Sequence, residues 1–357
     1  MTFETPLLQE LARTIEPPSE QWRQKALAHL DTLTKPLGSL GRLEGLVAQV
    51  LAIRRQEIAL PVKKAVFVFA ADHGITAEGV SAYPREVTHQ MVLNFLHHGA
   101  AVNVLAALHN VELCVADIGV DADFEDIPGL LHHKVRRGTR NMLHEAAMTP
   151  QETEEAISIG VQLASDAASA GVAMIAIGEM GIGNTTSASA ITCALTNAPP
   201  EEATGHGTGI STNGHLHKVS VVCAILEKHF VGKTKCSPLN ILASVGGLEI
   251  AAMVGMILGA ARARLIIVID GFISTAAAAL AVSLAPSVAG YLIAGHQSQE
   301  PGHRLLLDRL QLTPVLSLNM RLGEGTGAVL AMPLIESAIA LYTRMATFAS
   351  AGVSGAS

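Results

Sequence analysis

Five short, largely apolar runs constrain the fold of this chain more than any other feature. They are Ala65–Ala70 before Ala-Asp-His-Gly, Val111–Ala116 before Asp-Ile-Gly, Val172–Ile177 before the GEMGIGN segment, Leu265–Ile269 before Asp-Gly-Phe, and Gly290–Ala294 before GHQS. A strand with one wet face alternates apolar and polar residues, whereas a strand covered on both faces reads as a continuous apolar run. Helical stretches fall between these runs, at about Arg85–His109, Pro150–Ala170 and His215–His229. That alternation predicts an α/β fold, with a parallel sheet covered by helices. Composition agrees: 49% of the residues are hydrophobic but only 3% aromatic, which suits α/β layers better than an all-β sandwich.

The first sixty residues follow a different rhythm. Pro17-Pro18-Ser19 precedes an amphipathic run from Glu20 to Leu33, a second runs from about Arg42 to Ile58, and Lys35-Pro-Leu-Gly-Ser-Leu-Gly41 turns between them. The expected organisation is a small helical domain over 1–60, open to C-terminal segments, an α/β catalytic domain over 61–348, and a flexible tail over 349–357. A net charge of −7 with scattered basic residues speaks against the concentrated basic footprint of a nucleic-acid binder. The four cysteines form no CxxC pair and three sit in apolar runs, as expected of free thiols in a reducing cytoplasm. The acidic start, MTFETPLLQE, lacks the basic n-region of a signal peptide. Gly271–Gln299 contains no Asp, Glu, Lys or Arg, but Pro286 and its many small residues predict a buried helix followed by a buried strand rather than a membrane span.

Asp72, His73, Asp117, Glu179, Asp270 and His296 all fall near the carboxyl end of a predicted strand. That edge carries the binding crevice of an open α/β sheet. Acids at helix N-caps leave the same trace, so each acid alone has two readings, cap or site. Three Gly-rich segments add to this pattern. Gly178-Glu-Met-Gly-Ile-Gly-Asn-Thr-Thr186 follows a buried strand and opens a helix, so its backbone N–H groups suit an anion or simply end a tight turn. Gly205-His-Gly-Thr-Gly209 precedes the helix carrying Lys218, either a phosphate counter-charge or a solvated surface residue. Arg321-Leu-Gly-Glu-Gly-Thr-Gly327 sets Glu324 between glycines ahead of a long apolar helix, Ala328–Met345. That acid is either a base tuned by apolar walls or a partner for the helix dipole. Other signatures are missing: Gly232-Lys233-Thr234 has Glu227 where a phosphate loop needs Gly, no GxGxxG follows the first strand, and HExxH and paired CxxC motifs are absent.

Taken in order, KPLGSLGRLE (35–44), ADHGITAEGVSAYP (71–84), GEMGIGNTT (178–186), VGGLEIAAMVGMILGAA (245–261), DGFIS (270–274) and MRLGEGTGA (320–328) resemble the nicotinate-nucleotide–dimethylbenzimidazole phosphoribosyltransferase family over nearly the whole chain. The resemblance implies a Rossmann-like parallel-sheet domain with a smaller helical domain, a homodimer, and a reaction that needs no metal or other cofactor. It implies nicotinate mononucleotide and 5,6-dimethylbenzimidazole, or a related base, as substrates. The products would be α-ribazole 5′-phosphate and nicotinate, in assembly of the cobalamin nucleotide loop. By motif match, Glu324 would be the catalytic base and Glu179 a second active-site acid. Gly181, Asn184, Thr185, Lys218 and Ser298 would hold the nucleotide and its phosphate, while Tyr83, Met91, Met180 and Leu322 would line the aromatic-base pocket. Tyr83 and Met91 depart from the smaller or more polar groups of better-known members, which implies tolerance of other benzimidazoles or purines. Two further readings keep a similar fold. A nucleotide-dependent oxidoreductase is weakened by the missing GxGxxG, and a non-catalytic nucleotide-binding protein by the presence of both Glu324 and Glu179.

Overall fold

The apolar runs become strands of one sheet. The computed structural model describes residues 6–125, 127–232 and 236–354. Residues 1–5, Lys233 and Thr234 of the incomplete phosphate-loop motif, and 355–357 of the expected tail lie outside the described residues. The strands are β1 (Lys64–Ala71), β2 (Glu112–Gly119), β3 (Leu130–His132), β4 (Met174–Met180), β5 (Ile266–Ile269) and β6 (Leu292–Ala294). All neighbours pair in parallel, in the order β3-β2-β1-β4-β5-β6. Every residue of β1, β5 and β6 is buried, as continuous apolar runs require in a sheet covered on both faces. The strand order reverses between β1 and β4, and a crevice opens there at the carboxyl ends. Register places Phe69 opposite Glu179, bringing the β4 acid to that edge. The short edge strand β3 has no counterpart among the five predicted runs, because three residues carry no periodic signal.

Most predicted helices appear near their expected bounds. Pro150–Ser169 starts at a capping box in which Thr149 and Glu152 exchange hydrogen bonds, and Thr212–Phe230 starts at Ser211, whose hydroxyl accepts from Gly214 N. The helical stretch expected over Arg85–His109 comprises two helices, Val87–Leu96 and Ala101–Leu108. The chain turns at His97-His98-Gly99, and Asn103 fixes the corner by accepting from Ala100 N at 3.0 Å and donating to Phe95 O at 2.8 Å. Gly271–Gln299 contains the buried helix Phe272–Leu284 and then β6, the order its composition predicts. By length and composition, Val87–Leu108 and Thr326–Arg344 could cross a membrane, but the first is broken at this corner and more than half of the second is buried.

The helix Leu248–Arg262 packs against β1, β2, β4 and β5 and, on its other side, against Pro150–Ser169. Gly160 and Gly255 make this approach possible, since a Cβ on either would overlap a carbonyl of the facing helix. The N-terminal helices Glu20–Leu30 and Arg42–Arg54 pack on each other, and the second also packs on Thr326–Arg344. Gln49 donates to Gly290 O and Leu292 O, both at 3.0 Å. Thr34 N donates to Ala346 O and Phe348 N to Thr32 O, so the C-terminal segment lies against the N-terminal helices. Phe348–Ala351, at the start of the expected tail, forms a short exposed helix.

Candidate active site

A cavity of about 730 Å³ opens at the carboxyl edge of the sheet. The β4 exit supplies Glu179, Met180, Gly181, Asn184 and Thr185, the β5 exit supplies Asp270, and the turn beyond β6 supplies Ser298. The RLGEGTG segment forms another wall with Leu322 and Glu324, while Tyr83 and Met91 enter from the loop and helix after β1. Eleven residues carried into the site by motif match are therefore distributed simply: ten border this cavity, and Lys218 stands behind it. Tyr83 and Leu322 are 55% and 56% exposed, so the wall they form is open to solvent on one side.

The strand-end residues separate into two groups. Asp72, His73, Asp117 and His296 do not border the cavity. Asp117 accepts from Val120 N and pairs with Lys134 at 2.6 Å, and Asp72 accepts from Asp121 N at 2.7 Å. His73 is fully buried between Glu249, 2.5 Å from Nε2, and Ser187, 3.1 Å from Nδ1. His296 accepts from Leu318 N at 3.0 Å. These four are structural in their contacts. Glu179 and Asp270 do border the cavity.

Asp270 has both functions that a strand-end acid can have. Its carboxylate accepts from Gly325 N at 3.2 Å and from Ala328 N at 3.0 Å, capping the helix Thr326–Arg344 across the sheet edge. Burial nevertheless pushes it up to about 7, against the pull of those N–H groups. Because Asp270 caps this helix, Glu324 is left without that task. Its own backbone is left-handed, at φ +62° between Gly323 at +83° and Gly325 at +82°, a conformation that costs a non-glycine residue on the order of 1–2 kcal/mol. Gly178 allows the segment to lie directly on β4, since a Cβ there would come within 2.5 Å of Glu324 C and Gly325 N.

The Glu324 side chain is buried, and its Oε2 has no hydrogen-bond partner among the described residues. Burial first, and the charge of Asp270 second, push it up to about 7, while the Val102 N–H opposes them. Glu179 rises further, to about 8, through burial and the neighbouring carboxyls of Glu249, Asp270 and Glu324, against a hydrogen bond donated by Asn184. A carboxyl near 7 beside a cavity can accept a proton at neutral pH. One near 8 is mostly protonated there and can donate a hydrogen bond.

Beside Glu179 the cavity wall is built from backbone and short donors. Gly181, Asn184 and Thr185 lie at the start of the helix Asn184–Thr196, whose N-terminal end favours an anion. Lys218 is completely buried and donates to Thr185 Oγ1 at 2.7 Å, so it belongs to neither a solvated face nor the cavity wall itself. Burial lowers it to about 8, with the charge of Glu300 opposing. Sequence motifs alone did not single out Arg321 or Glu300. Arg321 Nη1 donates to Gly207 O at 3.0 Å, and Glu300 Oε1 accepts from Gly207 N at 2.9 Å. Both border the cavity and tie the GHGTG loop to the segments carrying Glu324 and Ser298. Each neighbours a recognised motif residue, but their shared partner is remote in sequence.

A phosphoribosyltransferase family model matches residues 15–353. A relative from Geobacter sulfurreducens, named nicotinate-nucleotide–dimethylbenzimidazole phosphoribosyltransferase, is 50% identical over 347 residues, 97% of this chain and 98% of that one. A relative of the same name from Chlorobium chlorochromatii is 49% identical over 349 residues, again 97% and 98% of the two chains. Among solved structures, CobT from Thermus thermophilus superposes with a TM-score of 0.89 at 46% identity, covering 94% of this chain and 100% of that one.

Proposed function

Because the chain belongs to the nicotinate-nucleotide–dimethylbenzimidazole phosphoribosyltransferase family, we propose that it transfers the phosphoribosyl group of nicotinate mononucleotide to 5,6-dimethylbenzimidazole, releasing nicotinate in cobalamin nucleotide-loop assembly. The observation that carries the mechanism is Glu324: a buried carboxyl with one unpartnered oxygen, raised to about 7, in a residue that borders the cavity. Family membership disfavours the oxidoreductase alternative.

Nicotinate on the ribose is already a cationic leaving group and needs little acid assistance. The unprotonated benzimidazole nitrogen attacks the anomeric carbon from the opposite face. The new carbon–nitrogen bond forms as the bond to nicotinate breaks with its electron pair, and β configuration becomes α. The base then carries a surplus N–H proton, and Glu324 takes it. Such a base contributes about 10²–10⁴-fold. Gly181, Asn184, Thr185 and Ser298 hold the nucleotide and its phosphate, with Lys218 supplying positive charge from behind Thr185. Glu179 holds the ribose, and its ionised form is favoured when the cationic ring lies beside it. Tyr83, Met91, Met180 and Leu322 clasp the aromatic base.

The test is product analysis after incubating the pure protein with nicotinate mononucleotide and a mixture of benzimidazoles and purines. α-Ribazole 5′-phosphate and free nicotinate are the expected products, and binding without nicotinate release would favour a non-catalytic protein. The flexible Met91 and half-exposed Tyr83 support tolerance of other bases. Strict use of dimethylbenzimidazole in that competition would refute this tolerance. We further place the enzyme in the cytoplasm, in keeping with its four free cysteines, and expect a homodimer. Sedimentation equilibrium at the mass of a single chain would refute the dimer.

A further inference from the structure

Ser298 and Gly271 border the cavity from two different strand ends, and one buried imidazole joins them. His303 lies in the first turn of the helix Pro301–Leu310 and is fully buried. Its Nδ1 is 2.9 Å from Ser298 N, and its Nε2 is 3.0 Å from Thr275 Oγ1. The direction of each bond follows from the groups available. A backbone N–H can only donate, so Nδ1 accepts and the ring proton sits on Nε2. That N–H donates to Thr275 Oγ1, whose own proton goes to Gly271 O at 2.6 Å. A neutral ring in a single tautomer therefore connects the lip beyond β5 to the lip beyond β6.

Burial also pushes His303 down to about 3, with His296 adding to the effect, which keeps the ring neutral at working pH. The turn that it holds extends across the site. Ser298 Oγ accepts from Glu300 N at 3.3 Å, and Glu300 Oε1 in turn accepts from Gly207 N. Moving Ser298 would therefore disturb the GHGTG wall as well.

We infer that His303 is a positioning residue for the nucleotide end of the site, setting Ser298 and its turn against the phosphoribosyl group. This rests on the functional reading above, in which Ser298 faces the nucleotide. Two substitutions separate the contacts of the ring. His303→Asn keeps an amide oxygen near the Nδ1 position as an acceptor for Ser298 N, whereas His303→Gln reaches towards Thr275 and loses that acceptor. Steady-state kinetics with nicotinate mononucleotide and dimethylbenzimidazole are measured on wild type and both variants, alongside thermal unfolding.

In His303→Gln the nucleotide KM should rise about tenfold, the scale of one lost hydrogen bond. Its kcat and benzimidazole KM should change by less than about threefold, and His303→Asn should recover most of the nucleotide KM. An unchanged nucleotide KM in His303→Gln, or equal losses in both variants, overturns the positioning role. If His303→Gln does not fold, His303→Met fills similar space without a comparable acceptor for Ser298 N, with the same expected split and the same overturning result. A wild-type protein that releases no nicotinate would instead overturn the enzymatic reading, independently of His303.

Discussion

At Glu324, a glutamate occupies backbone space that glycine fills far more easily, and its φ of +62° is flanked by two glycines that take the same hand. Glu324 borders the cavity, while Asp270, not Glu324, caps the helix that follows. Glu324→Gln keeps the shape and removes the base, so kcat should fall by roughly 10²–10⁴-fold with little change in nucleotide binding. Near-normal turnover, measured with both substrates saturating, would remove Glu324 from that role. As the proposed base, Glu324 acts in its ionised form, and burial raises its pKa to about 7. The wild-type rate should therefore climb as pH rises through about 7 and fall below it. A pH profile of kcat/KM, which reports the free enzyme, checks this, and the limb should vanish in whatever activity Glu324→Gln retains.

Elements were legible wherever their own sequence decides them. The continuous apolar runs became strands, and the helical stretch Pro150–Ala170 became the helix Pro150–Ser169, because both signals lie within a short stretch of chain. The corner at His97-His98-Gly99 was less legible, since apolar periodicity continues through it and the Asn103 bonds that hold it span the break. Backbone proximity between elements was not legible at all. Gly255→Ala should push apart the helices Pro150–Ser169 and Leu248–Arg262, costing about 1–3 kcal/mol, which denaturant unfolding will measure. Gly178→Ala tests a different junction, between β4 and the Glu324 segment. It should lower kcat about tenfold or more while leaving stability closer to wild type, because the segment carrying the proposed base is what must shift. Equal stability losses in the two variants, with unchanged kcat, would contradict this division.

Across the whole molecule, the buried acids set how stability depends on pH. Glu179 keeps its proton in the ligand-free fold up to about pH 8, whereas the unfolded chain releases it near its ordinary 4.5. Between these values the folded state binds the extra proton, so stability falls as pH rises. Asp270 and Glu324 act in the same direction up to about pH 7. His303 has the opposite sign below its ordinary 6.5, where only the unfolded chain takes up the proton. The ligand-free protein should consequently lose stability from pH 6.5 to 8, by about 2 kcal/mol from Glu179 alone. Glu179→Gln should flatten that slope in denaturant unfolding measured at both pH values, and an unchanged slope would reject Glu179 as its source.

Strands, helices and Gly-rich turns are each written in residues close along the chain, and the motifs are legible in their order along it. The sequence also brought acids to the ends of strands, where an α/β sheet opens. What each acid touches is set by the folded chain. Asp117 meets Lys134, Asp72 meets Asp121 N, Asp270 meets the start of a helix more than fifty residues away, and Glu324 is left with a free oxygen. The physical reason is that capping, pairing and desolvation depend on what lies within a few ångströms, and in this fold those neighbours come from remote parts of the chain.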